Sequence, residues 1–167
     1  MNASGLSAAT FSELYQRYGR DVYRYAFYLS GNAALAEDIA SDVFLRVWSS
    51  AQPVRIATVK GYLLVIARNL YLHDLRHSGR SRELDPNVAG GPSLSRDAES
   101  REELGLVLAE LQQFPELDRS ALLLRAEHGL SYEEIAAALE ISVAAAKVKV
   151  HRARVRLAER FPRSTNP

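Results

Sequence analysis

The chain has 167 residues, of which 47% are hydrophobic and 25% are charged, and this is the composition of a globular protein large enough to bury its own core. It contains no cysteine, which excludes disulfides, thiolate metal sites and zinc fingers. Lysine and arginine (21) nearly balance aspartate and glutamate (20), so the net charge alone indicates no partner. No stretch resembles a signal peptide or a membrane span, and we expect a soluble cytoplasmic protein without membrane insertion.

The first half of the chain has the pattern of three amphipathic helices. Thr10 and Glu13 form a predicted capping box at the start of the first helix. Asn32 and Thr58 are predicted N-caps of the second and third helices, and the third reaches about residue 77. Apolar residues at helical spacing form the predicted buried stripe of the second helix: Leu35, Ile39, Val43 and Val47.

Several residues outside these stripes are candidates for contact with partners. Trp48 either closes an edge of the core or belongs to a docking surface, and the sequence leaves both readings open. The third helix becomes basic towards its end and follows a loop that contains Arg55, and aromatics such as Tyr62 can stack unpaired bases or fill a core. His73 and His77 have the spacing of a metal-binding pair, but no third ligand is evident.

Residues 78–100 are polar and rich in serine, glycine and proline, which is typical of a flexible linker. A helical pattern resumes near residue 97 and continues for most of the second half. The sequence therefore predicts an all-α fold with two small helical domains, residues 10–77 and residues 101–161, joined by this linker.

A helix-turn-helix pattern is predicted in the last third of the chain. Pro115 fits the first turn of one short helix, and Gly129 ends it. Ser131 and Glu134 form a capping box at the start of a second short helix, and Ser142 caps a third that continues to about residue 160.

The predicted third helix of this region carries most of the local positive charge. From Ser142 to the end of the chain there are seven lysines and arginines and one acid, Glu159. In a helix-turn-helix protein the second helix of the motif enters the major groove, and flanking cations neutralise phosphates. A solvated basic helix in some other helical domain is the alternative. The predicted duplex-binding residues are Ser142, Ala144, Ala145, Lys147, Val148, Lys149, His151, Arg152 and Arg154.

Motifs in both halves carry a resemblance to a known family. Residues 36–48 read Ala-Glu-Asp-Ile-Ala-Ser-Asp-Val-Phe-Leu-Arg-Val-Trp, and residues 66–69 read Ile-Ala-Arg-Asn. In the second half, Phe-Pro at 114–115 is followed by Gly-Leu-Ser-Tyr-Glu-Glu-Ile-Ala at 129–136 and by His-Arg-Ala-Arg at 151–154. With these motifs in this order, the chain resembles the bacterial extracytoplasmic-function (ECF) sigma factors of the sigma-70 family.

The resemblance implies that the first half is sigma domain two and the second half is sigma domain four. Domain two would bind the clamp helices of core RNA polymerase and the melted non-template −10 strand, and domain four would bind the −35 duplex and the polymerase flap. The implied polymerase-binding residues are Asp38, Ser41, Asp42, Phe44, Leu45 and Trp48. The implied −10 strand-binding residues are Arg55, Lys60, Tyr62, Arg68, Asn69 and Arg76.

The function that the resemblance implies is that of an alternative sigma factor, which directs promoter-specific transcription initiation. Its implied partners are core RNA polymerase, promoter DNA and an anti-sigma factor, and we expect no catalytic residue, metal or cofactor. Two alternatives stay open: a plain helix-turn-helix regulator that does not join polymerase, and an interaction protein that titrates an inhibitor. The first half discriminates, because a plain regulator needs no polymerase-binding face.

The chain departs from the family pattern at several of these positions. Ser41-Asp42 replaces the common Gln-Glu pair, and Tyr62 replaces a frequent tryptophan. Residues 144–146 are three alanines where Gly-Thr-Val is common. Small side chains allow close approach and methyl contact to thymine, but they form no bidentate hydrogen bonds with bases.

Overall fold

The computed structural model describes residues 8–49, 58–78 and 98–162, and every regular element in these ranges is an α-helix. The helices are α1 (Ala8–Ser30), α2 (Ala33–Ser49), α3 (Val59–Ser78), α4 (Ala98–Gln112), α5 (Glu116–Ala126), α6 (Tyr132–Leu139) and α7 (Val143–Arg160). They belong to two compact units, α1 to α3 and α4 to α7. The predicted all-α fold of two small domains is confirmed. The predicted linker lies almost wholly outside the described residues.

In the N-terminal domain, α1 packs against both α2 and α3, and α2 also packs against α3. The predicted buried stripe of α2 is confirmed, because all four of its apolar residues are buried. Full burial of a large apolar side chain contributes roughly 1.5 to 3 kcal/mol. The core of this domain takes side chains from all three helices: Val22, Tyr25, Phe27, Leu29, Leu35, Ile39, Val43, Leu63, Leu64 and Tyr71.

Polar side chains fix the starts of α2 and α3. The Oδ1 atom of Asn32 accepts a hydrogen bond from the N–H of Leu35 at 2.9 Å. The Oγ1 atom of Thr58 accepts one from the N–H of Gly61 at 3.1 Å. Both predicted N-caps are therefore confirmed, and each satisfies a backbone donor that the helix itself leaves unpaired.

The start of α1 differs from the prediction. This helix begins at Ala8, so Thr10 occupies a helical position and the predicted N-cap there is wrong. Ala8 and Ala9 are strong helix formers, which explains the longer helix. Tyr15 of α1 is 54% exposed, although its ring packs edge-on against Phe44 with centroids 5.0 Å apart.

In the C-terminal domain, α7 packs against α5 and α6, and α5 packs against α6. Apolar residues at helical spacing form a stripe on α7 that is buried at Ala146, Val150 and Ala153 and half-buried at Leu157 and at Phe161, which follows the helix. Further large core residues come from α4 to α6 and their connections, among them Leu108, Leu111, Phe114, Leu124, Leu130, Ile135 and Leu139.

Local hydrogen bonds set the predicted starts of α6 and α7, whereas α5 ends at Ala126, three residues before the predicted Gly129. The Oγ atom of Ser131 accepts the N–H of Glu134 at 3.1 Å, and Oε2 of Glu134 accepts the N–H of Ser131 at 2.8 Å. Gly129 has φ +68°, a left-handed conformation that glycine adopts without steric cost. The Oγ atom of Ser142 accepts the N–H of Ala145 at 3.0 Å. The capping box and the cap of α7 are thus confirmed.

Candidate nucleic-acid interface

A tight turn places α6 and α7 in a helix-turn-helix arrangement. Glu140 ends α6 in a left-handed conformation, with φ 55° and ψ 45°. The carbonyl oxygen of Ala136 accepts hydrogen bonds from the N–H groups of both Glu140 and Ile141. This geometry closes α6 and directs the chain into α7, which begins immediately after its cap, Ser142.

The face of α7 opposite its buried stripe is exposed and partly apolar. Val148 and Val155 leave 57% and 42% of their surface accessible. Exposed methyl groups on a helix of this kind suit contact with the methyl groups of thymine. We call this face the outward stripe of α7, and its members are Ala144, Val148, His151 and Val155. Val155 was not among the predicted residues, although the 3.6-residue period places it on the same face as Val148.

Two exposed cations flank the outward stripe on the side nearest α6. Neither Lys147 nor Arg154 has an ion-pair partner within the described residues. The Nζ atom of Lys147 lies 5.8 Å from the ring centroid of Tyr132, and the guanidinium of Arg125 lies 4.5 Å from the same centroid. Arg125 also donates from Nη1 to the carbonyl oxygen of Leu130 at 2.9 Å. The sequence prediction omitted Arg125 and Tyr132, which add a cation and an aromatic ring to this flank.

The opposite flank of α7 is bound to acids from other helices. Asp118 of α5 lies within 3.3 Å of Lys149 and within 3.1 Å of Arg152. Glu110 of α4 lies within 3.2 Å of Arg156 and within 3.7 Å of Arg160. The sequence count of one acid against seven cations therefore overstated the free charge of α7, because acids distant in sequence neutralise part of it.

The predicted first-turn residues of α7 have different environments. Ser142 is exposed, and its hydroxyl is occupied as the helix cap. Ala144 is exposed, while Ala145 is half-buried on a flank of the helix. The structure thus brings Ala144, Val148 and His151 together on one face of α7. Lys149 and Arg152 lie on the flank of the helix that is ion-paired with Asp118.

Four of the predicted polymerase-binding residues share one exposed face of α2. Leu45 is 60% exposed, so this face has an apolar centre among acids. Burial, followed by the nearby carboxylate of Glu37, raises the pKa of Tyr23 above its ordinary value. We call this face the α2 acidic face, and its predicted members are Asp38, Ser41, Asp42 and Leu45.

The two predicted aromatic residues of α2 lie at the edge of this face or beneath it. Phe44 is 3% exposed, and its ring packs edge-on against Phe11 and Tyr15 with centroids 6.3 and 5.0 Å apart. Phe44 is therefore a core residue and presents no surface to a partner. Trp48 is half-buried, with its ring centroid 4.8 Å from that of Phe11, so it closes the core edge while keeping part of its ring accessible.

The predicted −10 residues of α3 divide into two groups. Tyr62, Asn69 and Arg76 recur every seven residues and lie on one outward stripe, with Tyr62 half-buried and the other two exposed. The rings of His73 and His77 lie near the same end of the helix, with centroids 4.1 Å apart and planes tilted by 51°. Among the described residues, no group of three or more metal-ligating side chains is placed to hold a metal ion.

The other predicted −10 residues are directed elsewhere. Lys60 lies 3.8 Å from the carboxylate of Asp21 on α1, so it links two helices of its own domain. Arg68 is half-buried on a flank of α3. Arg55 lies outside the described residues.

The arrangement in the C-terminal domain defines a class of protein. A capped helix-turn-helix whose second helix exposes an apolar stripe beside free cations is a DNA-binding domain. The chain places it after a second, wholly helical domain. In the described ranges, no helix combines the length and the apolar character that crossing a membrane requires.

Comparison with known proteins identifies the family. The model of sigma-70 region 2 matches residues 14–81, and that of sigma-70 region 4 matches residues 104–157. The chain is 34% identical over 164 residues to the ECF RNA polymerase sigma factor SigE of Mycolicibacterium smegmatis, covering 93% of this chain and 64% of SigE. It is 31% identical over 135 residues to the sigma factor EcfG of Rhodopseudomonas palustris, covering 80% of this chain and 75% of EcfG.

A solved structure agrees in fold. The sigma factor RpoE of Bartonella quintana, in complex with the anti-sigma factor NepR, superposes with a TM-score of 0.72 at 23% identity, over 92% of this chain and 98% of RpoE. The chain belongs to the ECF sigma factors of the sigma-70 family, the alternative sigma factors that direct promoter-specific transcription initiation. The resemblance predicted from the sequence is confirmed. The match to region 2 excludes the alternative of a plain helix-turn-helix regulator, because such a regulator has no sigma domain two.

Proposed function

We propose that the C-terminal domain binds the −35 duplex with α7 in the major groove. The observation that carries this proposal is the outward stripe of α7, whose residues are exposed and flanked by the cations Lys147 and Arg154. In such a complex the first turns of the helix contact base edges, and the flanking cations contact phosphates. The exposed positions of Ala144 and Val148 favour close apolar contact with bases.

The N-terminal domain would bind core RNA polymerase through the α2 acidic face. An exposed leucine surrounded by acids combines an apolar contact with charges that select a basic partner surface. Leu45 provides that apolar centre, Asp38 and Asp42 provide the charge, and the accessible part of Trp48 extends the surface. The clamp helices of polymerase are the proposed partner.

The outward stripe of α3 would hold the melted non-template −10 strand. Tyr62 supplies a ring for base stacking, Asn69 a hydrogen-bonding amide and Arg76 a cation for the backbone. Such a mixture is typical of surfaces that bind single strands. The chain itself would perform no catalysis, because nucleotide addition belongs to the polymerase.

The test is reconstitution with purified core RNA polymerase and run-off transcription from a library of promoter fragments. We expect specific transcripts, and we expect Asp38→Arg to abolish binding to core polymerase while helical content is unchanged. Glu13→Arg is the matched control, since it reverses an exposed acid on α1 of the same domain and should leave polymerase binding intact. Normal polymerase binding by Asp38→Arg would contradict the assignment of the α2 acidic face.

We also infer that an anti-sigma factor inhibits this chain. The support is the RpoE structure, in which a sigma factor of the same fold is bound to an anti-sigma factor. Such a partner would cover the polymerase-binding surface, so it should compete with core polymerase for the wild-type chain. Simultaneous binding of both without loss of affinity would contradict this inference.

A further inference from the structure

Asp118 is a buried acid on α5 whose carboxylate is bound to α7. Its side chain is 6% exposed. Its Oδ2 atom accepts a hydrogen bond from Nε of Arg152 at 3.1 Å, and its Oδ1 atom accepts from Nη2 of Arg152 and from Nζ of Lys149, both at 3.3 Å. Both oxygens are therefore satisfied by cations of α7, as a buried carboxylate requires.

This pairing fixes the direction of the Arg152 guanidinium. A guanidinium is planar and carries five N–H donors, and Asp118 uses only the edge formed by Nε and Nη2. Two parallel hydrogen bonds define the plane of the group, so the edge formed by Nη1 and Nη2 has one preferred direction. That side chain is 60% exposed, and Arg152 lies one helical turn after Val148, beside the outward stripe of α7.

The same pairing makes Arg152 a poor general phosphate contact. The Asp118 carboxylate compensates much of its positive charge, whereas Lys147 and Arg154 have no such acid beside them. The charge of Arg152 is compensated, but its N–H donors are held in a fixed orientation. Such a residue contributes more to the orientation of hydrogen bonds than to salt-dependent attraction to phosphates. Oriented paired donors match a pair of acceptors on a base edge, such as N7 and O6 of guanine.

We propose that Asp118 is a positioning residue for promoter recognition, holding Arg152 so that its free edge reads a base pair of the −35 duplex. The proposal rests on the proposed −35 function of α7. Asp118 acts only through Arg152 and does not itself touch DNA.

The test uses the full chain bound to core RNA polymerase. The wild-type complex first selects its preferred −35 duplex from a randomised pool, and affinities are then measured for this duplex, for its single-base-pair variants and for random duplex. For Asp118→Asn we expect the preference at one or two positions to fall about tenfold. Binding to random duplex should not weaken, and its salt slope should steepen by about one, because Lys149 and Arg152 become free to neutralise phosphates. An unchanged preference, or an equal loss on all duplexes, would overturn the proposal.

Arg152→Lys tests the same geometry from the other partner. It keeps the charge but removes the planar fork, so the preference should fall at the same positions while the salt slope stays unchanged. Retention of the base preference would overturn the proposal. The control is Glu110→Gln, which removes an acid that pairs with Arg156 and Arg160 and should leave the preference intact. A fall with this control would show that the charge balance of α7, not the positioning of Arg152, sets the preference.

These outcomes separate the two proposals. A wild-type complex that selects no −35 sequence contradicts the proposed −35 function itself. Selection by the wild type that both Asp118→Asn and Arg152→Lys leave unchanged contradicts only the positioning role. If circular dichroism shows that Asp118→Asn does not fold, Arg152→Lys decides the question alone.

Discussion

Val148 and Val155 are valines of α7 that burial does not explain. On the inward side of this helix Ala146, Val150 and Ala153 are buried, whereas Val148 and Val155 are exposed. Exposed valines also have lower helix propensity than the lysines and arginines around them. The proposed contact of the outward stripe with DNA would account for their exposure.

Val148→Asp should therefore affect DNA binding and leave the fold intact. We expect duplex affinity to fall at least tenfold, because the change removes an apolar contact and places a negative charge beside phosphates. Leu106→Asp is the matched control, since Leu106 is 56% exposed on α4 of the same domain. Affinities can be measured by fluorescence anisotropy, and equal losses in the two variants would contradict the assignment.

At the level of single helices, two glycines of the C-terminal domain differ in backbone conformation. Gly129 has φ +68°, and Gly105 lies inside α4. An added Cβ atom would meet no heavy atom within 4 Å at either position. Steric overlap with neighbouring residues therefore does not affect the stability of an alanine variant at either position. Only the local backbone conformation distinguishes the two sites.

Alanine substitutions at these glycines should have opposite signs. Gly129→Ala should lower the free energy of unfolding by about 1 kcal/mol, because alanine is strained in the left-handed region. Gly105→Ala should raise it by about 0.8 to 1 kcal/mol, because alanine favours a helix interior. Urea denaturation of both variants measures these changes, and a stabilising Gly129→Ala would contradict the turn geometry.

The helices that the sequence predicted best are those with local start signals. Asn32, Thr58, Ser131 and Ser142 each bond a backbone N–H only three positions later, so their role is readable from the sequence. Packing between helices has no such local signal, because it brings together residues that are distant in the sequence. The burial of Phe44 depends on rings of α1, and the Asp118–Arg152 pair joins residues 34 positions apart. The sequence therefore predicted these four caps and most of the outward stripe of α7, but not which cations of α7 are already paired.

At the scale of the whole molecule, each domain has its own buried core. The core residues of α1 to α3 and those of α4 to α7 belong to two separate compact units. Two such units are expected to unfold as separate cooperative transitions rather than as one.

Leu124→Ala provides a test of this independence. Leu124 is 1% exposed, and its truncation should cost the C-terminal domain about 2 to 5 kcal/mol. Native-state hydrogen exchange should show lower protection throughout α5 to α7 and unchanged protection in α1 to α3. A parallel loss of protection in both domains would show that the two cores are energetically coupled.

The contacts between helices that are close along the chain affect how quickly each core assembles. In the N-terminal domain every pair of helices is in contact, and in the C-terminal domain α5 to α7 are consecutive and mutually packed. Contacts between neighbours along the chain close short loops, and helical domains of this topology fold on the order of microseconds to milliseconds. The N-terminal domain can thus complete its folding while the ribosome is still synthesising the C-terminal one.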